Sequence, residues 1–174
     1  AGGNPFFTRE LLKLIHERKL FTFKKGRWNI DTKEINALAS SDNMVEILSS
    51  RLHSLPEKFR DILKAASCVS GTLEASFIAS IMEANPGEIQ ASMEELVERG
   101  LLTRYDTVFH FFHDRIREES LRMFDEDERL EMNLRIGSLL RDSLNEHPRD
   151  ETLFRAADHL NAASSLISGE EETL

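Results

Sequence analysis

Three apolar stripes at helical spacing, followed by two short β-rich runs, set an order of elements over residues 54–112 that many unrelated α/β arrangements share. Apolar side chains recurring three and four apart lie on one face of a helix and must be covered by a core. Phe59, Ile62, Leu63 and Ala66 form the first stripe, behind Ser54-Leu55-Pro56-Glu57, which has the spacing of a capping box. After Gly71, Phe77, Ile78 and Ile81 predict a helix of about eleven residues. Asn85-Pro86-Gly87-Glu88 is a cap with proline at the first helical position, and Ile89, Met93, Leu96 and Val97 carry that helix to Gly100, where a helix-ending glycine belongs. Residues 101–105 and 108–112 are β-rich and predict a hairpin turning at Asp106-Thr107. Helices near 56–69, 73–83 and 86–99 with a wing at 101–112 give the order of a winged helix in a mainly α chain.

The flanks are legible in the same way. Asn4 is a good N-cap, Pro5 suits the first helical position, and Phe7, Leu11, Leu14 and Ile15 predict a helix from 5 to about 20. Leu20-Phe21-Thr22-Phe23 and Arg27-Trp28-Asn29-Ile30 flank Lys24-Lys25-Gly26 as a short hairpin, and 31–38 reads as a short capped helix. Met44, Val45, Ile47, Leu48 and Leu52 mark a helix over 42–55, and another is expected over 113–124. Two amphipathic helices, 127–144 and 151–167, are separated by the loop signal His147-Pro148-Arg149-Asp150; such a pair can begin a repeat array without demonstrating one. The expected divisions are 1–41, 42–125 and 126–174.

Composition bounds the partners. Apolar residues at 40% and charged residues at 30% are ordinary for a soluble globular chain, and no apolar run approaches the roughly 18–20 residues a membrane helix needs. The opening residues carry neither a basic n-region nor an apolar h-region, so a cytoplasmic protein is expected. Cys68, the single cysteine, falls in an apolar helical run and reads as buried filling. The net charge of −9 is concentrated in 125–174, which hold 13 Asp/Glu against 5 Arg. That region repels nucleic acid and anionic membranes, and its acids read first as a solvated helical face. The helix that would read DNA, 86–99, holds Glu88, Glu94, Glu95 and Glu98 against Arg99, where several cationic contacts would be needed.

Catalytic signatures are missing. No Gly-x-x-x-x-Gly-Lys-Ser/Thr cradle, no strand-preceded dinucleotide fingerprint and no Gly-x-Ser-x-Gly elbow occurs. His110 and His113 are three apart with no further Cys or His close in sequence, so no metal is expected. The chain is not expected to be an enzyme on its own.

Two short motifs remain. Gly3-Asn4-Pro5 opens a helix, for which an N-cap and a proline are sufficient explanation. Phe112-His113-Asp114 lies where the wing turns into the next helix; a histidine there is well placed for an anion, while Asp114 suits the helix dipole and His113 would serve equally as a turn residue. Taken together at this spacing, they resemble the STAND class of signal-transduction ATPases, relatives of AAA ATPases that include plant disease-resistance proteins and apoptosome scaffolds. The nearest likeness is to large bacterial regulators with an ATPase between protein kinase and sensor or histidine kinase domains. The matching stretches are 3–11, 42–46, 55–57, 111–116, 134–137 and 158–161, of which Phe111-Phe112-His113-Asp114-Arg115-Ile116 is the most diagnostic.

The resemblance implies that 1–41 is the end of a lid subdomain in which Pro5, supported by Gly3 and Asn4, packs near the adenine. It implies that His113, with Asp114 beside it, reaches the β-phosphate of bound ADP and holds a closed state. Phe112 stands where the family has methionine, a swap expected to keep the packing role. The P-loop and Walker B strand would precede Ala1 in a longer parent, whose cofactors would be ADP or ATP with Mg²⁺. The implied partners are that N-terminal P-loop core and downstream helical-repeat or signalling domains. The alternatives are a DNA-binding winged-helix transcription regulator and a helical protein-interaction module.

Overall fold

A computed structural model describes residues 5–24, 26–38, 41–69, 71–146 and 150–166. Among these the chain is mainly helical, with two small antiparallel sheets. It divides into two compact units, Ala1–Leu55 and Pro56–Leu174. The helix at 41–53 belongs to the first of these units.

In the first unit, α1 (Pro5–Glu17) is followed by the hairpin of β1 (Phe21–Lys24) and β2 (Arg27–Ile30), then α2 (Thr32–Leu38) and α3 (Ser41–His53). Asn4, its expected cap, lies outside the described residues. α1 ends three residues earlier than its apolar stripe predicts. Lys19 takes a left-handed conformation (φ 53°), and the amides of Lys19 and Leu20 return to the carbonyls of His16 and Ile15. This is a Schellman ending made without glycine, so no sequence signal marks it. The small core of this unit joins Ile15 and Leu20 to Leu11 and Ile35. The Asp31 carboxylate accepts the Glu34 amide at 3.0 Å, the predicted cap of α2.

The second unit begins with α4 (Glu57–Cys68), then β3 (Leu73–Glu74), α5 (Ala75–Met82), α6 (Pro86–Glu98), β4 (Leu102–Tyr105), β5 (Val108–Phe111) and α7 (Asp114–Arg122). Phe59, Ile62, Leu63, Ile78, Ile81, Met93, Leu96 and Phe109 are essentially inaccessible to solvent. Each of the larger side chains contributes about 1.5–3 kcal/mol by leaving water. Cys68 is buried among them, and burial pushes its thiol pKa up, as expected of an inert packing residue.

The expected capping box at Ser54 is not formed. The Ser54 amide donates to Ser50 O and its hydroxyl to Arg51 O, closing α3, while α4 starts only at Glu57, so Ser54 lies two residues ahead of the N-cap position. Extended Pro56 precedes α4 instead. Asn85 does cap α6, its side-chain oxygen accepting from the amides of Gly87 and Glu88. Gly100 (φ 72°) ends α6, its amide and that of Leu101 returning to Val97 O and Leu96 O. The helix predicted over 73–83 covers its stripe but starts two residues later, at Ala75. Leu73–Glu74 is a strand pairing antiparallel with β5, Leu73 opposite Phe109, which gives the sheet order β3-β5-β4.

Two long helices complete the unit, α8 (Glu126–Glu146) and α9 (Asp150–Ala162). A reciprocal box starts α8: the Glu128 amide donates to the Asp125 side chain and the Asp125 amide to the Glu128 carboxylate. α9 folds back on α8, burying Ile136, Leu140, Ala156 and Ala163. No helix among the described residues is long and apolar enough to cross a membrane.

Candidate functional site

The turn from β5 into α7 places His113 at a helix start. Its backbone is extended (φ −156°, ψ 145°), and it serves as the N-cap of α7. Nδ1 accepts the Arg115 amide at 3.0 Å, so the neutral ring carries its proton on Nε2. The His113 carbonyl accepts the Ile116 amide at 2.9 Å. The ring is half-buried, and Asp114 is the exposed first residue of the helix, where its negative charge complements the dipole.

The platform under His113 is firm. Ile116 is fully buried, and Arg117 Nε donates to Ser67 O at 2.9 Å, fastening α7 to α4. Upstream, the Phe112 amide donates to Leu101 O at 3.0 Å, prolonging the hairpin pairing. The Phe112 ring is 42% exposed, so the packing expected of it is partial. His110 lies on β5 with its ring edge-on to Tyr105 at 5.8 Å. Among the described residues no group of three or more His, Cys, Asp or Glu side chains converges as metal ligands would.

Pro5 is the first residue of α1 in the other unit, and Gly3 and Asn4 lie outside the described residues. His113 and Asp114 belong to the second unit.

On α6, Glu94 pairs with Arg104 and Glu95 pairs with Arg99 at 2.6 Å. Arg99 and Arg104 are thus engaged by acids of the helix that would read DNA.

A second feature was not legible in the sequence. An open cleft of about 580 Å³ lies among α4, α5 and the first half of α8. Asp61, Lys64, Phe124, Glu128 and Arg135 contribute to its lining. These residues are scattered over 75 positions and share no motif; only the folding of α8 across α4 and α5 assembles them. No known protein family, curated protein or solved structure matches the chain.

Proposed function

We propose that this chain is a regulatory, non-catalytic winged-helix segment of a STAND-type signal-transduction ATPase, coupling the nucleotide state of a P-loop core to a conformational signal. In this reading α4, α5 and α6 are the three helices, β4 and β5 the wing, and β3 the short strand that closes the sheet. The observation that carries it is the His113 cap. Its imidazole is a hydrogen-bond acceptor toward its own helix through Nδ1, and therefore a donor through Nε2. A donor at a helix N-terminus suits a phosphate oxygen, since the helix dipole adds favourable potential there.

His113 would hold the domain against an ADP-loaded core. The residue can bias a two-state element only if its contact differs between the ADP-bound and ATP-bound forms. The rigid link through Ile116 and Arg117 to α4 gives it a platform through which such a difference could move the whole unit.

The test is calorimetric titration of ADP and ATP into this chain and into a longer polypeptide that includes the P-loop. The expected result is no binding by the chain alone and tight ADP binding by the longer one. His113→Ala should then weaken ADP by about tenfold relative to ATP, the loss expected for one hydrogen bond to a charged group. An unchanged ADP-to-ATP ratio would remove His113 from the mechanism.

A further inference from the structure

The cleft among α4, α5 and α8 has apolar walls and a charged rim. Half-buried Met82, Met132, Leu134 and Phe124 provide apolar surface. Its volume of about 580 Å³ lies within the roughly 300–1,000 Å³ typical of ligand pockets. Methionine surfaces repack readily around different apolar partners.

The charges on the rim are not equivalent. Lys64 Nζ donates to Glu128 at 2.6 Å and stands over the Phe124 ring at 4.7 Å. Arg135 donates to Ile81 O at 2.8 Å and pairs with Glu83 at 3.3 Å. Both cations of the rim are therefore engaged inside the protein. Asp61 on α4 and Glu131 on α8 are exposed, and their side chains make no hydrogen bond or ion pair among the described residues. Partial burial raises the Asp61 pKa, with Lys64 offsetting part of the rise, so its carboxylate would gain from a cation brought beside it. What the rim offers a visitor is negative charge around an apolar floor.

That combination selects the occupant. Phosphate-bearing ligands meet two unpaired carboxylates and the acidic first turn of α8, with Glu126 and Asp127. A purely apolar ligand would leave the carboxylates without partners. We propose that the cleft is a docking groove for a basic amphipathic helix of a partner protein. Its apolar side chains enter between α4, α5 and α8, and its Lys or Arg side chains reach Asp61 and Glu131. An apolar face laid into a groove between helices, with charges fixing orientation at the rim, is a recurrent mode of peptide recognition. The groove lies within the Pro56–Leu174 unit and does not depend on His113 or on nucleotide.

The test uses the full chain and a fluorescent helical peptide of about 18 residues, with leucines at helical spacing and lysines on either side of them. Anisotropy at near-physiological salt should show saturable binding. Asp61→Lys or Glu131→Lys should each weaken it at least about fivefold, because like charges then meet across the groove. Glu151→Lys, an exposed charge reversal on α9 outside the cleft, should change it less than about twofold if the site is local. A peptide with glutamates in place of the lysines should bind the double reversal better than the unaltered chain. That gain cannot come from damaged folding. Failure of the basic peptide to bind, equal losses from Glu151→Lys and the cleft variants, or no exchange of preference in the double reversal would each overturn the proposal.

Discussion

Gly137 sits where α8 and α9 come closest. A Cβ built there would meet Leu160 Cγ at 2.8 Å, Cδ2 at 2.9 Å and the Leu160 amide nitrogen at 3.1 Å. In an isolated helix, Gly→Ala would gain about 1 kcal/mol of propensity. Overpacking a close contact costs about 1–3 kcal/mol, and here backbone as well as side chain must give way. Gly137→Ala should therefore lower stability by about 1 kcal/mol, against the direction that propensity predicts. In a Leu160→Ala background, where most of the clash is gone, the same substitution should become neutral or stabilising. Thermal melts of the four chains in this cycle would show whether the close approach decides the sign.

At the scale of elements, the α8–α9 pair also carries a pH dependence. His159 lies half-buried with Nδ1 donating to Asn133 Oδ1 at 2.8 Å. Burial, and then the nearby Arg155 charge, hold its pKa below the ordinary 6.5, with Asp158 opposing. The unfolded chain therefore binds this proton more readily than the folded one, and stability rises with pH across that window. The contribution is complete above about pH 6.5 and is lost as pH falls from there toward the depressed folded value. Melting midpoints should decline from pH 7.5 to 5.5, and His159→Gln should flatten that slope; an unchanged slope would place its origin elsewhere.

The same scale shows what could be read in advance. Apolar stripes gave the helices, because burial follows periodicity. Their ends were harder to read. The Schellman ending at Lys19 uses a non-glycine residue at φ 53°, so α1 stops without a visible sign, whereas α5 ends at Met82, one residue from its expected end. The capping pattern at Ser54 is a false signal because α4 starts two residues too late for it, behind Pro56, whereas Asp125 and Glu128 do form a box at the start of α8. β3, two residues long, has no periodicity to detect. Of the candidate site, the strand-to-helix position of His113 was legible because it is local. The cleft was not, because it is formed by residues far apart in sequence.

At the scale of the whole molecule, the division at Leu55/Pro56 makes a separable body of the second unit. Its core includes Phe59, Met93, Leu101, Phe109 and Ile136, so a fragment starting at Pro56 should fold alone. Its cooperative melt should lie within about 5 °C of the corresponding transition in the full chain, a shift worth roughly 1 kcal/mol. Loss of cooperative melting would mean that the first unit supplies part of that core. Within this body, β5 is the middle strand, bonded to β3 on one side and β4 on the other, and it runs directly into the His113 cap. Through these pairings β5 ties the His113 cap to β3, which leads into α5, and to β4, which follows the end of α6, so one short strand is the common joint of two helices, one of which, α5, also lines the cleft.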